Sequence, residues 1–76
     1  MRIRDIGGQL LSHGDRVIAK GDPLFKPLEL KGFSAEGTVI EKPSSAVVFF
    51  RNKDKNLCET LRLTPYRAKR YYERKA

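Results

Sequence analysis

The chain has 76 residues, 39% of them hydrophobic and 33% charged, and 16 Lys and Arg against 9 Asp and Glu give a net charge of +7. That length makes a single domain near the lower limit for folding without disulfides, metal or a partner, and the composition argues for a small folded core rather than disorder. A lone Cys58 excludes an intrachain disulfide and a lone His13 leaves no ligand set, so neither metal nor cofactor is expected and a reducing, cytoplasmic setting is the default.

The first residues, Met1 to Ile6, are charged and no apolar stretch follows, so they do not read as a targeting signal. The longest uninterrupted apolar run, Ala46 to Phe50, is far below the roughly 20 residues a membrane helix needs, and no membrane partner is expected. Gly7-Gly8 lacks the downstream Lys-Ser/Thr of a phosphate loop. His13 falls in the turn before Gly14.

Glycines and prolines then recur along the chain, with short β-branched and aromatic runs between them. This spacing predicts several short strands and no long helix. Arg16 to Lys20 is the first strand, reached through the Gly14-Asp15 turn. Gly21 to Phe33 carries Pro23, Pro27, Leu24, Phe25, Leu28 and Leu30, too apolar for a free loop and too broken for a regular element. It reads as a long ordered excursion whose apolar residues form a satellite core; an exposed Phe25 would make it a docking surface instead. Asp15 and Asp22 read as turn acceptors.

Gly37 to Lys42 is the second strand, stopped by Pro43, and Ala46 to Arg51 returns beside it as the central strand. Asn52 to Asn56 is a polar turn. In the fourth strand, Leu57 to Leu63, alternation puts Leu57, Leu61 and Leu63 on one face and Cys58, Thr60 and Arg62 on the other, with Glu59 at a wet edge. Val39, Phe49, Leu61 and Leu63 are the expected core, and Cys58 a buried or half-buried filler rather than a nucleophile. Thr64-Pro65 starts a helix, by a capping side chain and a residue suited to the first helical position, and no breaker follows. That helix would put Arg67, Arg70 and Arg74 on one stripe, Tyr72 in the core and Tyr71 at the surface.

Four stretches, Gly14-Asp15-Arg16-Val17, Gly37-Thr38-Val39, Val47-Val48-Phe49-Phe50 and Leu61-Arg62-Leu63-Thr64-Pro65-Tyr66, carry a resemblance. Over about residues 13–66 the chain resembles the SH3-like small barrels, especially the KOW-type and related modules of ribosomal proteins and transcription elongation factors. The resemblance implies a mainly β, SH3-like small antiparallel barrel, here with a short C-terminal helix, and it favours RNA over DNA as a ligand. The chain departs from the pattern in three ways. Its first connection is long, like the first loop of signalling SH3 domains. It has no Trp, so the proline-rich-peptide pocket of those domains cannot form. Helical sequence stands where the fifth strand belongs, with Met1 to Arg4 as a substitute edge strand.

On this reading residues 1–66 form the barrel, with its long first loop at 21–33, and 67–76 form a basic helix or tail whose deletion leaves the barrel folded. The tail holds five basic residues and one acidic one, and so contributes +4 of the +7. Cations that release counterions from phosphates, interleaved with rings that stack on bases, point to nucleic acid. The candidate contacts are Arg67, Lys69, Arg70, Tyr71, Arg74 and Lys75 in the tail, Arg51, Lys53 and Lys55 in the third turn, and Arg62. The expected function is non-enzymatic binding of RNA or DNA with weak sequence specificity, since phosphate contacts position without reading sequence. The alternative is a basic protein-binding adaptor or inhibitor, an accessory subunit or phage-encoded modulator docking on an acidic protein surface. Nothing in the chain sets up a catalytic acid–base pair or nucleophile triad, so no enzyme is expected.

Overall fold

Runs of β-branched and aromatic residues become strands where they can bury one face and leave the other wetter. The computed structural model describes residues 1–76, and in it these runs form β1 (Arg16–Ala19), β2 (Glu36–Lys42), β3 (Ser45–Asn52), β4 (Leu57–Arg62) and β5 (Tyr72–Arg74). Helix α1 (Lys26–Leu30) lies between β1 and β2, and α2 (Pro65–Tyr71) between β4 and β5. All pairings are antiparallel in one sheet of order β4-β3-β2-β1-β5. The fold is mainly β with a short helix near the C-terminus, as expected.

One face of the sheet holds the core. Val17, Val39, Val48 and Phe50 are fully buried there, and Phe25 of the first loop packs on Phe50 with ring centroids 4.7 Å apart. Ile3, Leu11, Leu28, Phe33, Ala46, Leu63, Ala68 and Tyr72 complete the cluster. Gly37 makes room for it. A β-carbon at that position would lie 2.5 Å from Val48 Cγ1 and 2.9 Å from the edge of the Phe50 ring, so only glycine lets β2 approach β3 here. The opposite face carries Ile18, Thr38, Ile40, Val47 and Phe49, all half-buried.

Several expectations are corrected. Phe50, not Phe49, is core, because the five apolar residues Ala46 to Phe50 offer no polar alternation to show which face is wet. Leu57 is exposed, since β4 is an edge strand whose far end has nothing packed over it, and Leu61 is only half-buried. The first loop contains a regular element after all: α1 begins at Lys26, with Pro27 in its first turn, and buries Leu28. Leu24 and Leu30 point outward, whereas Phe25 is buried. Cys58 is exposed rather than a filler.

The largest correction concerns the C-terminus. Thr64 does cap α2, its Oγ1 accepting the Arg67 N–H at 3.2 Å, with Pro65 in the first turn. The helix stops at Tyr71, however, and Tyr72 turns to extended backbone at φ −121°. Tyr72 to Arg74 then pair with β1 as Ala19↔Tyr72, Ile18↔Glu73 and Val17↔Arg74. Burying the Tyr72 ring against the core outweighs continuing a marginal helix. The C-terminal segment is therefore not a free tail: it runs from α2 into Tyr72–Arg74, an edge strand of the sheet. With that edge taken, Met1 to Arg4 supply no strand: they belong to a loop tied across itself by an isolated Arg4↔Leu10 bridge, with Ile3 and Leu11 tucked into the core.

Candidate nucleic-acid interface

Charge that meets a polyanion must not already be spent on a carboxylate. Three of the tail cations are. The Gly21-Asp22 turn sends the Asp22 side chain inward, where it is completely shielded from solvent. Its Oδ1 accepts the Leu24 N–H at 3.0 Å, the turn role expected. Its Oδ2 also accepts the Tyr72 hydroxyl at 2.5 Å and pairs with the Arg67 guanidinium, whose other arm donates to the Arg62 carbonyl. Arg67, 14% exposed in its side chain, thus clamps α2 to the first loop, with little of its guanidinium open to solvent. Burial, reinforced by the Asp22 carboxylate, pushes the Tyr72 phenol well above its usual value.

Arg74 leaves the stripe once β5 replaces helix; its Nε lies 3.6 Å from Asp15, and its N–H donates to buried Asp5 at 2.8 Å. Lys75 reaches Glu36 at 2.7 Å, which Arg16 also pairs at 3.1 Å. The Lys75 hydrogen bond holds the Glu36 carboxyl below its usual range. Such exposed pairs stabilise little, but they cancel the local field.

The cations without a carboxylate partner lie elsewhere. Arg51, Lys53 and Lys55 occupy the β3–β4 hairpin and Lys31 the end of the first loop, with Asp54 the acidic residue among them. Asn52 locks the two segments together: its Nδ2 donates to the Lys31 carbonyl at 2.9 Å, and its Oδ1 accepts the Lys55 N–H at 3.2 Å. Asn52 reads from sequence as an ordinary turn residue, yet it is buried and organises the charged tip. Asn56, at φ +52°, supplies the left-handed residue the turn needs.

Arg62, Lys69 and Arg70 are also unpaired. Arg62 lies at the end of β4 remote from the hairpin, in a shallow cleft with Arg2 and Lys42. Arg70 stands between the rings of Tyr66 and Tyr71, at 5.2 and 5.9 Å from their centroids. Tyr71 is half-buried against the core, and it is Tyr66, missed in the sequence, that is the exposed ring.

A cleft lies on the outward face of the sheet. Phe49 is its one hydrophobic lining residue, with Thr38, Arg16, Glu36, Arg51 and Lys53 around it. The strand register sets Thr38 and Thr60 directly opposite Phe49 on either side, and Cys58 opposite Arg51. The alternation Phe49-x-Arg51 that places both on this face is present in the sequence but hidden by the apolar Phe50 between them. No helix is long and apolar enough to cross a membrane. Comparison with known families, curated proteins and solved structures finds no match to the chain.

Proposed function

We propose that the protein is a small non-enzymatic nucleic-acid-binding module that grips phosphates through its β3–β4 hairpin. The observation carrying this reading is that Arg51, Lys53 and Lys55 share one tip with Lys31 and have no carboxylate partner, while Arg67, Arg74 and Lys75 each pair with a carboxylate. Lys69 and Arg70 supply a second contact on α2, and Arg62 a third. A reducing, cytoplasmic setting goes with the exposed, unpaired Cys58. The test is titration of labelled RNA and DNA oligonucleotides at several salt concentrations. Replacing Arg51, Lys53 and Lys55 by Ala should reduce the log–log salt slope by roughly 2–3 units, the smaller figure for single strands. Replacing Lys75 should leave it nearly unchanged. An unaltered slope in the hairpin variant would remove the hairpin as the contact surface.

A second reading has its own observation. Tyr66, 66% exposed, with Arg70 stacked on it, is the kind of aromatic–arginine surface enriched in protein interfaces. It would suit an adaptor or inhibitor docking on an acidic protein. Absence of oligonucleotide binding at moderate salt would favour it.

A further inference from the structure

We infer that the cleft over Phe49 accepts an unpaired base, so that the module selects single-stranded nucleic acid over duplex. This rests on the nucleic-acid reading above and names the form of nucleic acid that the same face takes.

Three features of the cleft lead there. The first is an accessible ring. Phe49 is the one aromatic residue on the outward face of the sheet, and its direct cross-strand neighbours are Thr38 and Thr60, whose short side chains do not cover it. Ahead of β2 the cleft is bounded by Gly32 and by Ser34, whose N–H donates to the Arg51 carbonyl at 3.2 Å, again without bulk. A planar group can therefore lie on the ring.

The second is charge at the right remove. Arg51 follows Phe49 on the same face of β3, about 7 Å along the strand, the repeat of same-face residues. Lys53 continues the line into the hairpin. A base lying on Phe49 would thus direct its own sugar-phosphate toward Arg51 and the next toward Lys53. The acidic groups at the cleft do not oppose this: Glu36 is bridged by both Arg16 and Lys75, and Asp54 sits between Lys53 and Lys55.

The third is selectivity from geometry. In a duplex the faces of each base are already stacked on its neighbours, so a ring recessed in a cleft cannot reach them. An unstacked strand presents every base face, and such stacking tolerates any base. Phosphate grip alone would accept both forms; the Phe49 cleft adds an interaction that only the single strand can make.

The experiment uses the full-length protein with labelled oligo-uridylate, oligo-thymidylate and a DNA duplex of equal length, at one fixed salt concentration and then across several. The parent should bind both single strands more tightly than the duplex, and the two single-stranded arms report which sugar is preferred. Phe49→Leu keeps the side chain apolar and removes the ring. It should weaken single-strand binding by roughly 5- to 150-fold, leave the salt slope unchanged and leave duplex binding unchanged. Phe49→Tyr should retain parental affinity. Single-strand binding should also slow alkylation of Cys58, which shares the face beside Arg51. Equal affinity for duplex and single strands, or a Phe49→Leu variant that binds single strands like the parent, overturns the inference. If in that case the hairpin variant still lowers the salt slope, the phosphate-binding reading survives alone; if no oligonucleotide binds at low salt, both fall.

Discussion

Successive side chains of a strand point to opposite faces, and in β3 that rule separates two neighbouring phenylalanines: Phe50 is fully buried beneath Phe25, and Phe49 is half-exposed beside Thr38. Phe50→Ala should accordingly cost about 3–5 kcal/mol, a large part of the stability of so small a domain, whereas Phe49→Ala should cost well under half of that. Urea denaturation of the two variants measures both, and comparable losses would contradict the assignment of faces. Tyr72 carries a pH signature. Burial and Asp22 keep its phenol protonated in the folded state, while in the unfolded chain it ionises near its ordinary value of about 10. The folded state holds the proton longer, so this contribution is complete below about pH 10 and is lost as pH rises beyond it. Tyr72→Phe should cost about 1–3 kcal/mol at neutral pH by removing the hydrogen bond to a charged acceptor, and should flatten the alkaline loss. Urea midpoints followed from neutral pH to about pH 11 would show it, and an equally steep alkaline fall in the variant would place the effect elsewhere.

The elements most exposed to error are the ones at the edges of the sheet. β4 shows solvent most of its side chains and ends in a charged hairpin, and β5 is only three residues long, two of the ways natural sheets avoid adding further strands. Short as it is, β5 is held at several points: Tyr72 is completely buried, the Arg74 N–H reaches Asp5 at 2.8 Å, and the Lys75 N–H reaches the Arg16 carbonyl at 2.8 Å. Removing residues 72–76 uncovers β1 and opens a cavity the size of a tyrosine ring, a loss of roughly 3–5 kcal/mol or more by analogy with other aromatic truncations. The truncated protein should show no cooperative thermal transition by circular dichroism. A melting curve like the parent's would mean that β5 contributes nothing and that the C-terminus is a tail after all.

At the scale of the whole molecule, the radius of gyration of 11.5 Å matches the roughly 11 Å expected for a compact chain of this length. Every element shares one core, so stability should be graded outward from the centre of the sheet rather than divided between units. β3 lies between β2 and β4, and its Val48 side chain, like that of Val39 opposite it on β2, is fully buried. Native-state hydrogen exchange should find the Val48 amide exchanging only by global unfolding, and the amides of Lys53 to Asn56 orders of magnitude faster. A second cooperative unit, seen as residues 1–12 exchanging together well before the sheet, would be inconsistent with Ile3 and Leu11 packing in the common core. The same grading suits the proposed interface. Its phosphate contacts lie mainly on the hairpin, anchored through Asn52, while the Phe49 floor lies within β3.

Local signals determined much of this protein from the sequence alone. Glycine and proline punctuation, β-branched runs and the Thr64-Pro65 cap act within a few residues, so four strands, the three turns between Gly14 and Asn56 and the start of α2 were legible. So was the burial of Val39 and Leu63, each an apolar residue in a strand pattern; Tyr72 is core as expected, but from a strand and not from the expected helix. What only the tertiary structure decided depended on partners distant in the chain. The face of an unbroken apolar run is set by what packs against it, here Phe25 and Gly37 against Phe50. A helix of marginal length gives way to a strand when β1 offers an open edge and the core a space for Tyr72. The value of each cation depends on a carboxylate that the chain brings in from elsewhere, as Asp22 does for Arg67 across 45 positions. Composition counts charges, and folding determines which of them remain free to meet a ligand.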